Sequence, residues 1–241
     1  YLYDDNGHGT HVAGIIAGSG KGSNGKYRGI APDTFLVSVK VLDKSGNGKI
    51  ENVVEAAGWI IENKSAMNIR VVNISFGTRA KMENGPAIET GEDDYALIMA
   101  VEKMWDSGIV VVAAAGNNGP GNTSVTAPGI SKKIITVGAF DDKNFFSGRG
   151  PTRECIVKPE VVVTGSNIIA CNNHQGRYSS KSGTSMAAPV VSGAVARLIK
   201  NNPDITPKEV KIWMKSCCKK INVPSEKQGW GVLDIRKFVT G

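Results

Sequence analysis

Short apolar runs alternate with amphipathic segments along this chain, and the alternation restricts the fold more than any other feature. Runs rich in β-branched residues predict strands at residues 35–42, 69–75, 109–114 and 134–137. Helical spacing of apolar residues predicts helices between them, at residues 50–62 and 93–106. The order β-α-β-α-β is typical of crossover units, in which helices cover a parallel sheet. We therefore expect an α/β domain with a mainly parallel sheet.

Length and charge narrow the classes of partner. The 241 residues are enough for one large domain with a buried core. Lys and Arg outnumber Asp and Glu by 29 to 22, but the positive residues are scattered and form no basic stripe, so nucleic-acid binding is not indicated. No apolar run is long enough to span a bilayer, so no membrane partner is expected.

The four cysteines have neither the spacing of a zinc site nor the density of a disulfide scaffold. Cys217 and Cys218 are adjacent, which would strain a bridge between them. We expect free thiols, which slightly favour a reducing compartment such as the cytoplasm over secretion.

Ser185 is a candidate nucleophile. It lies in the segment Gly183-Thr184-Ser185-Met186-Ala187, whose small residues leave room for a substrate, at the start of a helix predicted to run to about Asn201. Free N–H groups and the positive end of the helix dipole favour a developing oxyanion there. An ordinary N-cap serine explains the motif equally well.

The two histidines at positions 8 and 11 lie on one predicted helix face. A metalloprotease motif needs histidines four residues apart with a glutamate between them, so this pair does not indicate a metal site. His8 is the candidate general base, because an imidazole takes up a proton near neutral pH, and His11 is assigned a structural role. His8 precedes Ser185, whereas in α/β-hydrolases the histidine follows the serine.

Asn117 follows the most apolar predicted strand, where α/β proteins form their sites. Its side-chain amide is a candidate hydrogen-bond donor to substrate, and a turn asparagine before glycine and proline is the alternative.

The segments Asn6-Gly7-His8-Gly9-Thr10-His11 and Gly183-Thr184-Ser185-Met186-Ala187 resemble the histidine and serine signatures of the subtilisin-like serine proteases, the subtilases. Further blocks resemble family landmarks in the same order, at residues 29–32, 39–42, 72–77, 115–117 and 146–151. Residues 43–46 and 146–151 are most similar to the bacterial intracellular-type branch. The resemblance implies a single catalytic domain over residues 1–241, with a three-layer subtilisin-like fold that lacks its N-terminal portion.

The resemblance also implies roles for individual residues in a serine endopeptidase acting on polypeptides. His8 would be the general base, Ser185 the nucleophile and Asn117 the side-chain oxyanion donor. Two segments would pair with an extended substrate: Ser75, Phe76 and Gly77 in one, and Gly46 and Gly48 in the other. Ala114 and Gly116 would line the primary specificity pocket, with Thr126 at its base narrowing it toward small or medium apolar side chains. Ile50 and Phe76 would form a second apolar pocket.

The catalytic aspartate is missing from this pattern. Subtilases carry it in an Asp-Ser/Thr-Gly segment well before the histidine, and here only Asp4 and Asp5 precede His8. Both are too close to orient the imidazole, so they are expected to be solvated loop residues. The aspartate is expected in an N-terminal segment, which by the same resemblance supplies a central strand. That segment, or a propeptide, is a candidate partner.

No cofactor is expected. The segment at residues 17–26, where many subtilases bind calcium, contains glycine and lysine but no carboxylate. Two alternatives stay open: a non-catalytic relative that binds peptides, and a different Ser/His hydrolase such as an esterase.

Overall fold

The computed structural model describes residues 3–78, 91–174 and 178–240. These residues contain seven α-helices: α1 His8–Ala17, α2 Ile50–Asn63, α3 Glu92–Asp106, α4 Thr184–Asn201, α5 Pro207–Ser216, α6 Ser225–Gln228 and α7 Ile235–Val239. The same residues contain eight strands: β1 Val71–Ile74, β2 Val110–Ala114, β3 Ile135–Ala139, β4 Val161–Val163, β5 Ile168–Cys171, β6 Tyr178–Lys181, β7 Cys218–Lys219 and β8 Val232–Leu233.

One sheet organises the described residues. Its strand order is β1-β2-β3-β4-β8-β7, and every neighbouring pair is parallel except β8 with β7. Every residue of β2, β3 and β4 is buried, so helices cover both faces of the sheet. The strands β5 and β6 form a separate antiparallel hairpin.

Helix α4 is the centre of one helical layer. It packs across β1, β2, β3 and β4, and α1 and α7 pack against it. Helix α3 packs on β2 and carries α2 beside it. The predicted α/β class with a mainly parallel sheet flanked by helices is confirmed. None of the described helices is both long and apolar enough to cross a membrane.

Most predicted elements are confirmed within two residues, because long apolar runs and strong caps specify them. The predicted restart at Thr206 is a capping box, in which the Thr206 hydroxyl accepts from the Glu209 N–H and the Glu209 carboxylate accepts from the Thr206 N–H. Pro207 occupies the first helical position, where its missing N–H costs nothing.

The strand predicted at residues 35–42 is wrong. The segment pairs with no strand in the described part of the chain, and Phe35 is fully exposed. Its apolar residues have the right spacing, but a strand also needs a neighbour to accept its backbone hydrogen bonds. Strand β1 is the edge of the described sheet and leaves one row of backbone groups unpaired on that side.

A buried ion cluster under the sheet has no counterpart in the sequence analysis. The Lys158 side chain is fully buried, and its Nζ lies 2.7 Å from Glu160 Oε1. Lys211 reaches the same oxygen at 2.9 Å. Burial lowers the pKa of Lys158 to about 8, because desolvating the ammonium outweighs the attraction of the Glu160 carboxylate. Glu160 therefore holds two ammonium groups that would otherwise be poorly compensated.

Replacing Glu160 by Gln should lower the free energy of unfolding of the full-length protein by about 3–5 kcal/mol, because the buried Lys158 ammonium would lose its counter-charge and would either stay uncompensated or give up its proton. Urea unfolding measures the loss. Glu154→Gln is the matched control, since it breaks the exposed ion pair with Lys132 and should change stability little. Equal effects of the two substitutions would contradict this account.

Candidate active site

The first turn of α4 is tied to the ends of two parallel strands. The Gly183 N–H donates to the carbonyl of Gly165, just after β4, at 2.9 Å. Both the N–H and the hydroxyl of Thr184 donate to Asn117 Oδ1 at 3.0 Å, and Thr184 Oγ1 accepts from the Gly116 N–H at 3.1 Å. Ser185 is therefore fixed at the carboxyl edge of the sheet, where α/β proteins place their sites.

Two hydrogen-bond donors of these segments have no acceptor among the described residues. Asn117 Oδ1 is occupied by Thr184, which leaves the Nδ2 end of the amide as a free donor among the described residues. The Ser185 N–H, near the start of α4, also has no acceptor in the described part of the chain. Gly183 has a φ of +149°, and a Cβ there would lie 3.2 Å from Asn117 Nδ2, so a side chain would crowd the amide.

His8 is the first residue of α1, and Asp4 caps that helix. The Asp4 carboxylate accepts from the Gly7 N–H at 2.8 Å and from both the N–H and the hydroxyl of Thr10 at 2.7 Å. Partial burial alone would raise the pKa of Asp4, but these hydrogen bonds, with one from the Asn6 N–H, lower it to about 2. Asp4 is therefore a helix cap and not merely a solvated loop residue.

Helices α1, which begins at His8, and α4, which contains Ser185, pack against each other. A Cβ at Gly193 of α4 would lie 3.5 Å from the Ile16 carbonyl of α1, so the backbones approach closely there. His8 and Ser185 each lie eight residues before that contact. At about 1.5 Å per residue, both first turns lie about 12 Å up their helices from it.

The charge state of His8 is set by its surroundings. Burial lowers the pKa of the half-buried His8, and the positive charges of Lys181 and His11 lower it further, while the Asp4 carboxylate raises it. A lowered pKa keeps the imidazole neutral and able to accept a proton at neutral pH. In the described part of the chain the His8 ring forms no hydrogen bond, and the Ser185 hydroxyl donates to the Ser75 carbonyl at 2.9 Å.

His11 is structural in the geometry of the described residues. It is completely buried, and its Nε2 lies 3.1 Å from the Ile168 carbonyl and 3.0 Å from the Ser179 carbonyl. This nitrogen joins α1 to both strands of the β5–β6 hairpin, and β6 leads directly into the turn before Ser185.

Neither upstream aspartate orients the His8 ring. The Asp4 oxygens are occupied by the cap of α1, and Asp5 pairs with Lys40 at 2.8 Å. In the described part of the chain, no carboxylate is hydrogen-bonded to the His8 ring.

Two glycines from the predicted substrate-binding segments, Gly77 and Gly116, lie next to Thr126. A Cβ on Gly77 would lie 2.7 Å from Thr126 Oγ1, and one on Gly116 would lie 2.6 Å from it, so the Thr126 side chain lies between the two segments. Ala114 ends β2 immediately before them. Phe76 and Ile50 pack against one small apolar cluster that also includes Ala127. The peptide bond between Ala127 and Pro128 is cis.

The second predicted substrate segment is an exposed turn. The Gly46 N–H donates to the Asp43 carbonyl at 3.0 Å, and Gly46 has a φ of +77°. Asn6 donates from Nδ2 to the Lys44 carbonyl at 2.9 Å, so the turn lies against the segment that precedes His8. Gly48 lies in a shallow surface depression that is also lined by Ile50 and Asp93.

Metal-ligating side chains do not cluster in the described residues, where no group of three or more His, Cys, Asp or Glu could hold a metal ion. The segment at residues 17–26 is closed by its own backbone, with the Gly25 N–H donating to the Gly20 carbonyl at 2.9 Å. That no calcium binds there stays a prediction. The four cysteines are free thiols, as expected.

Comparison with known proteins identifies the family of this chain. The profile of the subtilase family matches residues 2–231. The chain belongs to the subtilase family. Serine protease AprX of Bacillus subtilis is 40% identical over 89% of this chain and 53% of its own length. Subtilisin DY of Bacillus licheniformis is 35% identical over 88% of this chain and 70% of its own.

Solved structures agree with the subtilase assignment. Sphericase superimposes with a TM-score of 0.81 at 26% identity, covering 96% of this chain and 78% of its own. A cold-adapted subtilisin-like serine proteinase gives a TM-score of 0.74 at 31% identity, covering 96% of this chain and 74% of its own. The chain therefore spans about half the length of AprX and about three quarters of these solved subtilases.

Sequence reasoning missed three residues that shape this subtilase site. Thr184 orients Asn117, Asp4 caps the helix of His8, and Lys181 lowers the pKa of His8. Thr184 and Asp4 stand within or beside the two signatures, but their role depends on partners distant in sequence. Lys181 has no local signal beyond its place four residues before Ser185.

Replacing Lys181 by Met should raise the pKa of His8, because a positive charge that disfavours the imidazolium is removed. NMR titration of the ring measures the pKa directly. In an active enzyme that needs neutral His8, the acid limb of kcat/KM should move to higher pH. Lys200→Met, at the exposed far end of α4, is the control, and the same rise in both variants would contradict a local effect.

Proposed function

We propose that this chain is the catalytic part of a serine endopeptidase, in which Ser185 attacks the peptide bond and His8 is its general base. The observation that supports this most is the tie between Thr184 and Asn117. It holds Asn117 by its oxygen against the residue before Ser185, so the Nδ2 group of Asn117 and the N–H of Ser185 would both be available to an oxyanion. Binding a peptide alone needs neither donor.

Catalysis would begin when the Ser185 hydroxyl leaves the Ser75 carbonyl and turns to His8. His8 accepts the hydroxyl proton as the oxygen attacks the carbonyl carbon of the substrate. The negative oxygen of the tetrahedral intermediate then accepts hydrogen bonds from the Ser185 N–H and Asn117 Nδ2. His8 returns the proton to the leaving amine, and water repeats the sequence to release the acyl group.

The proposal also includes a carboxylate that orients the His8 ring. Because Asp4 and Asp5 are bonded elsewhere, we infer that the carboxylate behind His8 comes from another segment of the protein. Two features support a strand in that segment: the unpaired edge of β1, and the exposed apolar side chains of residues 35–39. An added strand would satisfy the edge and cover apolar surface. The N-terminal segment of the same protein is the proposed source.

Substrate selection is proposed to depend on Thr126. Its Oγ1 lies against both Gly77 and Gly116, so it fills space that a large side chain of the substrate would need. Small or medium apolar residues would fit before the cleaved bond. The apolar cluster beside Phe76 and Ile50 is proposed to favour an apolar residue further along the substrate.

A fluorophosphonate probe tests the proposed function, because it labels only an activated serine. The full-length protein should be labelled at Ser185, and Ser185→Ala should abolish labelling and peptide cleavage. Asn117→Ala should lower kcat about 100- to 1000-fold with KM nearly unchanged, a range taken over from measurements on the related asparagine of subtilisin. Mass spectrometry of the labelled peptide and steady-state kinetics measure these results.

Asn118→Ala is the matched control, since Asn118 is the exposed neighbour of Asn117 and should leave kcat unchanged. A full-length protein that binds peptides but is never labelled would instead support a peptide-binding relative. Ester hydrolysis without peptide cleavage would support a different hydrolase.

Replacing Thr126 by Gly should widen the pocket, so that cleavage after Phe or Tyr rises relative to cleavage after Ala or Val. A peptide library sequenced after digestion measures the change. Thr123→Gly, in an exposed position of the same loop, should leave the preference unaltered. Best cleavage after Phe or Tyr by the unmodified enzyme would refute a narrow pocket.

A further inference from the structure

Pro189 leaves the carbonyl of the candidate nucleophile without its normal helical partner. In an α-helix the Ser185 carbonyl accepts from the N–H four residues later, but that residue is Pro189, inside α4. Proline has no N–H, and its ring also pushes the carbonyl four residues earlier away from the helix axis. The Ser185 carbonyl therefore needs a donor from outside the helix.

A chain of side chains from β1 to α4 supplies that donor. The Ser75 hydroxyl donates to the Ser185 carbonyl at 3.0 Å. Asn73 Nδ2 donates to Ser75 Oγ at 2.9 Å, which commits the Ser75 proton to the Ser185 carbonyl. Ser192, two turns along α4 from Ser185, donates to Asn73 Oδ1 at 2.8 Å. Asn73 and Ser75 each donate one of these bonds and accept another, and the chain begins and ends on α4. The Ser192 hydroxyl also lies 3.1 Å from the Ala188 carbonyl of its own helix.

We propose that Asn73 is a positioning residue for Ser185, acting through the Ser75 hydroxyl on the carbonyl that Pro189 leaves free. The proposal rests on the proposed function, because it states how that nucleophile is held. Asn73 is suited to the role because an amide carries a donor and an acceptor on one rigid plane. Aspartate has the same shape but no donor for Ser75.

The hydrogen bonds from Ser192 through Asn73 and Ser75 to the Ser185 carbonyl form a tether. It fixes Ser185, whose backbone N–H and side-chain oxygen must both point at the substrate carbonyl. The Ser75 and Ser185 residues bond to each other twice, through hydroxyl and carbonyl in both directions. Loss of the Ser75 hydroxyl leaves the backbone carbonyl of Ser75 in place. The binding of extended peptide by that backbone should therefore survive, while the orientation of Ser185 is lost.

Steady-state kinetics of Ser75→Ala and Asn73→Asp in the full-length protein test the role. We expect each substitution to lower kcat about tenfold, which corresponds to about 1.4 kcal/mol in the barrier. KM should stay within a factor of about two, and the fluorophosphonate labelling rate should fall with kcat. Ser131→Ala is the matched control, because that buried hydroxyl bonds to Glu102 and should leave kcat unchanged.

The sharper test is rescue by Pro189→Ala. This change restores an N–H to the Ser185 carbonyl, so the double variant Ser75→Ala with Pro189→Ala should recover most of the lost kcat. A purely structural role of Ser75 predicts no such recovery. Equal losses of kcat with and without Pro189→Ala, or a loss carried by KM alone, would overturn the positioning role.

Urea unfolding of the wild type, Ser75→Ala, Pro189→Ala and the double variant tests the tether separately from the proposed function. Ser75→Ala should lower the urea midpoint more when Pro189 is present than in the Pro189→Ala background. Additive shifts would overturn the tether whether or not the protein is active. A wild-type protein that labels nothing and cleaves nothing would overturn the proposed function and the catalytic role, while the unfolding cycle still decides the tether.

Discussion

The bonds that join the first turn of α4 to the carboxyl ends of the parallel strands are the constraint on which the site depends. Gly183 bonds to Gly165, two residues after β4, and Thr184 bonds to Asn117, three residues after β2. Because β2, β3 and β4 are buried on both faces, those strand ends cannot shift without disturbing the core. Ser185, in the first turn of α4, is therefore held as rigidly as the sheet itself.

The sequence was sufficient for the elements whose signal is local. The uninterrupted apolar run of β2 and the capping box before α5 each identify an element without reference to the rest of the chain. The segment at residues 35–42 has an equally good local signal and forms no strand in the described structure. Strand formation depends on a neighbour, and the neighbour is not encoded in the segment itself.

The site could be predicted to a similar extent. His8, Ser185 and Asn117 stand in motifs whose residue types point to chemistry, and the structure ties the segments of Ser185 and Asn117 together at one edge of the sheet. The supporting residues could not be found in this way. Ser192 and Lys158 look like ordinary polar residues in sequence, and only their burial and distant partners distinguish them.

The cap on α1 has a consequence for how such a site responds to acid. Asp4 keeps its charge down to about pH 2, so its contribution to stability is present above the ordinary carboxyl range and is lost only as the pH falls through that value. The pKa of His8 is lowered as well, by burial and by the positive charges of Lys181 and His11. Acid that protonates ordinary carboxyl groups therefore leaves the Asp4 cap charged, and the helix turn that begins at His8 stays capped under those conditions.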